Sequence, residues 1–272
     1  LGPFEPAIEL LETPRAARLL SPGAPVFIAR APGRLDVMGG IADYSGAVVL
    51  QLPLDRSTFA LLQRQDTPRC EIVSLRAGAA HEFSIEMEPL VAGELASADA
   101  LREWFSLRPA DHWAAYVVGV AQLALQRAGA RADAGGFRLL LDSRVPEGKG
   151  VSSSAALEVA ALSAIAAAYE LDLGPEELAT ACQWVENRVV GAPCGIMDQM
   201  TSAMGLEGSL LRLRCQPAIV EGHLPIPEGY RFFGVDSGLR HAVTGAAYGT
   251  VRTAAFMGYR MIAALAGLGV AE

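Results

Sequence analysis

Val145-Pro-Glu-Gly-Lys-Gly-Val-Ser-Ser-Ser-Ala-Ala156 follows a strand-like run, Gly136 to Asp142, and opens an apolar stretch that predicts a long helix from Ser153 to about Glu170. Gly148 and Gly150 let the backbone turn sharply and approach a ligand closely. Ser152, Ser153 and Ser154 then place N–H groups and hydroxyls at the helix N-terminus, where partial positive charge and free donors suit a polyphosphate. The Gly-x4-Gly-Lys-Ser/Thr spacing of P-loop proteins is missing, and so is the dinucleotide fingerprint. Two readings stand: a phosphate-binding loop, or a serine-rich cap after a glycine turn. Lys149 bears on the choice, because it is the only lysine among 22 lysines and arginines. It is either a compact point charge for phosphate or a chance survivor of a compositional drift to arginine.

Around this loop, strand and helix signals come in clusters. Strands are expected at Val26 to Arg30, Ala47 to Leu52, Ser57 to Arg64, Cys70 to Ser74, His81 to Ile85, Ser209 to Leu213 and Arg231 to Asp236. Helices are expected at Glu5 to Leu20, from an Asp111 N-cap to about Arg127, from Gly174-Pro175 to about Val190, and at Thr250 to Leu268. Clustering without strict alternation points to an α+β fold. The 272 residues, 51% of them hydrophobic, can bury a sizeable core in one domain or two. A net charge of −8 argues against nucleic acid as a partner, so an anionic ligand must be met by local donors.

Cys70, Cys182, Cys194 and Cys215 form no CxxC pair, which argues against a disulfide framework or a zinc site and favours a reducing, cytoplasmic setting. No apolar run reaches 18 residues, so no membrane span is expected. The chain starts at Leu1 and stops inside a helical pattern at Glu272, as expected for a piece of a longer protein. Nothing in it fixes an oligomeric state.

Two further segments carry chemistry. Ala31-Pro-Gly-Arg-Leu-Asp-Val-Met-Gly-Gly-Ile-Ala-Asp-Tyr-Ser-Gly46 holds Arg34, Asp36, Asp43 and Tyr44 on a tight path. It reads as a turn with surface charges, or as a site, since carboxylates between apolar residues are expensive to leave idle. Gly191-Ala-Pro-Cys-Gly-Ile-Met-Asp-Gln-Met200 sets Asp198 just past a Pro/Gly turn, as a helix cap or as a base. Glu186 lies on the helix before it.

Together these segments resemble the first two signatures and the catalytic-aspartate segment of the GHMP kinases, and most closely the galactokinase-like branch. Arg240-His241 and Tyr248-Gly-Thr-Val-Arg252 resemble a later galactokinase segment. Within that branch, Gly33 to Ser45, Pro146 to Ser152 and Ala255 to Gly258 are similar to the kinases of L-arabinose. The resemblance implies a two-lobed α+β fold, with a first lobe over 1–205 and the start of a truncated second lobe over 206–272. It implies transfer of the γ-phosphoryl group of ATP to the anomeric hydroxyl of a small sugar. Asp198 would act as base, with Arg34 beside it. Gly148, Lys149, Gly150, Ser152 and Ser153 would bind phosphates. Ser154 (or Ser153) and Glu186 would hold Mg²⁺. Asp43, Tyr248, Gly195, Gly40 and Ile41 would line the sugar pocket.

The chain departs from galactokinases in two places. Gly40 and Ile41 replace a Glu-His pair that contacts the C6 hydroxymethyl group, which implies a pentose such as L-arabinose over galactose. A glycine-rich third motif is missing after Tyr248, so the second lobe is expected to be incomplete, and the activity of this stretch alone is open. A galactokinase, or a sugar- and ATP-binding sensor without catalysis, are the alternatives.

Overall fold

The computed structural model describes residues 2–76, 78–129, 135–238 and 246–269. Short helices α1 (Glu5–Leu11) and α2 (Pro14–Leu19) precede strand β1 (Phe27–Met38). Strands β2 (Val48–Gln65), β3 (Arg69–Arg76) and β4 (Ala79–Glu86) follow. Helices α3 (Met87–Val91), α4 (Ala98–Ser106) and α5 (Ala115–Arg127) lead to strand β5 (Gly136–Ser143). The glycine- and serine-rich segment then opens α6 (Ser153–Ala168), followed by α7 (Pro175–Val185), a π-helical turn (Glu186–Val190) and α8 (Met197–Met204). Strands β6 (Ser209–Arg214) and β7 (Ile219–Pro225) and helix α9 (Ala246–Leu265) complete the described elements.

One sheet organises the fold, in the order β4-β3-β5-β2-β6-β7, with β1 along the far edge of β2. The key element is β2, 18 residues long. Its C-terminal half pairs with β5 (Thr58↔Ser143 to Gln65↔Gly136), and its first residues pair with β6 (Val48↔Arg214). Side chains alternate across the sheet. Phe59, Leu61, Val73 and Leu140 pack on α1 and α2, while Ala60, Leu62, Ile72, Leu139 and Leu141 pack under the helices on the other face. Both faces are covered, so these strands read as nearly continuous apolar runs. Helix α6 is alanine-rich and buried almost all round, and it crosses the middle of the helical layer. Just ahead of its N-terminus the Val151 carbonyl accepts the Arg34 N–H at 3.1 Å, at the shift in β1–β2 register between Pro32 and Arg34.

Several expectations are corrected. The helix expected over Glu5 to Leu20 is two helices. Pro14 lacks the N–H needed to continue the first, and Thr13 Oγ1 caps the second by accepting the Ala16 N–H at 3.2 Å. Asp111 is not an N-cap: it lies in a 3₁₀ turn (Pro109–Ala114), and α5 starts after it without a side-chain cap. The two strands expected over 47–64 are the single strand β2, and β1 runs on through Ala31-Pro-Gly33. Residues 231–236 form no strand; Phe233 and Val235 are 80% and 91% exposed, and no described edge pairs with them. Past residue 205 the same sheet continues, with β6 hydrogen-bonded to β2 and β7 to β6. Strand β7 and helices α3, α4 and α8 went unpredicted. Among the described residues no helix is long and apolar enough to cross a membrane.

Gly119 shows how tightly the helical layer is packed. A Cβ there would collide with Cγ1 of Val185 and lie 3.3 Å from Cγ1 of Val189. Gly119→Ala gains helix propensity, but the collision with short branched side chains in a closed core outweighs that gain. The variant should lose about 1–2 kcal/mol of stability, read from the urea unfolding midpoint. An unchanged midpoint would contradict this packing.

Candidate active site

Arg34 on β1 joins three segments that are far apart in sequence. Its Nε and Nη2 donate to Oδ1 of Asp198 at 2.9 and 2.6 Å. Its Nη1 donates to the carbonyl of Gly150 at 2.8 Å, and its backbone N–H to the carbonyl of Val151 at 3.1 Å. Asp198 stands in the first turn of α8, so the helix dipole also favours its negative charge. Arg34 is only 7% exposed. Burial alone would lower its pKa; the contacts with Asp198, with Asp36 and Asp43 further off, override this and raise it. No described donor takes Oδ2 of Asp198, and the residue faces the main cavity, of about 560 Å³.

The loop from β5 to α6 forms another wall. Gly148 and Gly150 have φ of +68° and +70°, and Ser152 has φ +60° without being glycine. A left-handed residue with a side chain costs about 1–2 kcal/mol, and such strain gathers at functional sites. The Ser152 Oγ is buried without a hydrogen-bond partner, and Ser152, Ser153 and Ser154 line the cavity at the N-terminus of the 16-residue α6. A strained turn, an orphaned hydroxyl and free helix N–H groups fit an anion better than a plain cap does.

Behind the loop lie two acids. Glu186 is 2% exposed, lines the cavity and accepts from Gln199 Nε2 at 2.6 Å. Burial first, and Asp198 second, push its pKa to about 7, while the Ser154 hydroxyl pulls the other way. Glu158 on α6 is fully buried, and its carboxyl oxygens have no hydrogen-bond partner; burial and Glu186 hold it well above the usual range. No group of three or more acidic, His or Cys side chains among the described residues is arranged to hold a metal. Ser154 and Glu186 together still suit a hard cation whose other ligands are phosphate and water oxygens.

Of the residues singled out in the sequence, Arg34, Gly40, Gly148, Gly150, Ser152, Ser153, Ser154, Glu186 and Asp198 line this one cavity. Others do not. Lys149 is turned to Asp236, with Nζ 2.9 Å from its carboxylate, in the segment after β7. Ile41 is 45% exposed and off the cavity wall. Asp43 is 5% exposed and off the cavity wall, and its Oδ1 accepts the N–H groups of Ile196 (3.0 Å) and Met197 (3.3 Å), capping α8 from a distant segment. Gly195 is packed so closely on Asp43 that a Cβ would overlap its carboxylate. Tyr44 completes the joint by donating to the carbonyl of Pro193 at 2.8 Å. Asp43, Tyr44 and Gly195 thus fasten two loops together. Tyr248 lies in the first turn of α9, and its side chain, like Arg240-His241, lies outside the described residues.

The cavity also draws in residues to which sequence reading gave no role: Asp36, Arg76, His112, Trp113, Tyr116, Ser143, Glu147 and Cys194. Arg76 lies over the Trp113 ring, 5.1 Å from its centroid. No local spacing relates β3 to the turn before α5, so this wall had no signal in the sequence. Asp36 did have one, as a carboxylate between apolar neighbours.

The buried acids set a pH dependence. Burial raises Asp43 from 3.8 to about 6, and Glu186 titrates near 7. Both bind protons more readily folded than unfolded. The native state therefore holds extra protons between about pH 4 and 7, and their contribution to stability falls as pH rises through that window. Asp43→Asn keeps an acceptor for the helix N–H groups and removes the charge. Relative to wild type, it should become more stable from pH 4 to pH 7 in denaturant titrations. Parallel pH profiles would contradict a raised Asp43.

With this geometry in view, the likenesses to known proteins are informative. The family described as GHMP kinases N terminal domain matches residues 115–206, and the galactokinase galactose-binding signature matches residues 21–64. The chain is 46% identical to L-arabinokinase of Arabidopsis thaliana over 89% of its own length and 26% of that protein. It is 35% identical to the galactokinase of Chloroflexus aggregans, covering 82% of this chain and 52% of that one. In fold it is similar to Lactococcus lactis galactokinase solved with galactose (TM-score 0.64, 24% identity, 81% of this chain and 52% of that one). It is also similar to the mevalonate kinase of Methanococcus jannaschii (TM-score 0.58, 15% identity, 74% and 57%). The chain spans about half the length of the galactokinases it matches and about a quarter of the L-arabinokinase. The anion-shaped loop on α6, the Arg34–Asp198 pair and these matches agree: the chain belongs to the GHMP kinase family, on its galactokinase-like branch.

Proposed function

We propose that the protein is an ATP-dependent sugar 1-kinase with L-arabinose as its preferred acceptor. The observation that carries this reading is the Arg34–Asp198 pair facing the N-terminus of α6 across one cavity. Phosphoryl transfer needs positioning and charge neutralisation more than covalent chemistry. Oδ2 of Asp198 takes the proton as the anomeric oxygen attacks the γ-phosphorus, and ADP departs as the Pγ–O bond breaks. Arg34 keeps Asp198 ionised and oriented. The N–H groups of Gly148 to Ser153 hold phosphate oxygens. Ser154 and Glu186 would hold Mg²⁺, which supplies further neutralisation of the phosphate charge when bound.

The pentose reading rests on Gly40. It lines the cavity, and a Cβ built there meets nothing within 4 Å, so that stretch of wall offers no side chain to a C6 hydroxyl. Similarity to an L-arabinokinase supports the same choice. The match to a galactose-binding signature favours galactokinase as the second reading. We also propose that a second lobe begins after β7. Met257, Met261, Ile262 and Leu265 on α9 are 59–89% exposed, a face suited to burial under such a lobe.

Asp198→Asn should leave ATP binding in place and lower kcat by about 10²–10⁴-fold. Near-normal kcat would remove Asp198 from the mechanism. On a panel of sugars, kcat/KM should favour L-arabinose over D-galactose by up to about 10²-fold, since a wall with no side chain at residue 40 rejects an added hydroxymethyl group only modestly. A preference for galactose would select the second reading.

A further inference from the structure

Arg34 and Asp36 are two residues apart on β1, and the register between them is regular: Arg34↔Pro53, Leu35↔Leu52, Asp36↔Gln51. Side chains two apart on a strand leave the same face, about 6–7 Å from each other. Arg34 points to Asp198, and Asp36 therefore reaches the same cavity further along, on whose wall it stands exposed. It is also held. Gln51, fully buried opposite it, donates from Nε2 to Oδ1 at 2.7 Å, and the Gly40 N–H donates to Oδ2 at 2.5 Å. Gly39 makes room for this bridge: a Cβ there would lie 2.5 Å from Asp36 Oδ1 and 2.8 Å from Gln51 Nε2. A carboxylate accepts about four hydrogen bonds, so two acceptor positions remain, turned to the cavity.

Asp43, on the same segment, is buried, off the cavity wall, and accepts the N–H groups that open α8. Asp36 is thus the carboxylate of the Ala31–Gly46 segment that is exposed, oriented and on the cavity wall. We infer that Asp36 is a specificity-determining residue that accepts hydrogen bonds from sugar hydroxyls on the side of the ring away from the anomeric centre. The inference rests on the sugar-kinase reading. A fixed acceptor pair selects neutral polyols that donate from neighbouring hydroxyls. Its charge, near that of Asp198, repels sugars carrying a carboxylate.

The test uses the full-length protein. Asp36→Asn keeps the shape and a link to Gly40 and removes the charged acceptor. It should raise KM for L-arabinose about 10- to 100-fold, the loss expected for a charge-assisted hydrogen bond, with KM for ATP unchanged. Competitive inhibition by D-galacturonate should become stronger relative to the neutral sugar, a change that mere loosening of the loop would not produce. Asp36→Glu serves as the second variant if Asp36→Asn fails to fold: it displaces the carboxylate and keeps the charge, so it should raise the sugar KM while still rejecting the uronate. An unchanged sugar KM in whichever variant folds overturns the inference. Wild-type protein that phosphorylates no sugar overturns the kinase reading itself.

Discussion

The ion pair between Arg34 and Asp198 is the constraint on which the site depends. All three nitrogens of the guanidinium are used, two on Asp198 and one on the Gly150 carbonyl. One side chain thereby fixes β1, the loop ahead of α6 and the first turn of α8 relative to one another. Such a pair adds little net stability, because desolvation offsets the attraction. Its value is positional. Removing the Asp198 carboxylate outright would leave the buried Arg34 charge uncompensated, at a cost of up to about 3–5 kcal/mol.

Around that joint the molecule gives up stability. Ser152 is held left-handed, and Glu158 and Glu186 crowd two carboxyls behind the loop. None of these is what a sequence selected only for a stable core would keep. Each becomes reasonable if the cavity must meet phosphate oxygens and a cation, since unsatisfied donors and acceptors are then completed by ligand. The apolar sheet and the α6 layer carry the stability that offsets this strain.

Local chemistry was legible in the sequence, and contact across the fold was not. Glycines and serines between a strand and an alanine-rich run announced the sharp turn ahead of α6, because that pattern dictates its own conformation. Arg34 and Asp198 were legible through motifs alone; their 164-residue separation says nothing of a bond. Asp43 shows the same limit. A carboxylate between apolar residues signals a committed charge, yet the sequence does not say whether a sugar or a helix end receives it. The Arg76–Trp113 wall was invisible because two unrelated elements build it. Residues 231–236 have a strand's composition and no strand's partner, so propensity without an edge gave the wrong element.

The most direct test is to identify the product. The full-length protein would be incubated with ATP, Mg²⁺ and L-arabinose, and the products followed by ³¹P NMR. The account predicts an acid-labile sugar phosphate whose phosphorus couples to the anomeric proton, formed in step with ADP. Phosphate on any other hydroxyl, or ADP with inorganic phosphate and no sugar ester, would contradict it.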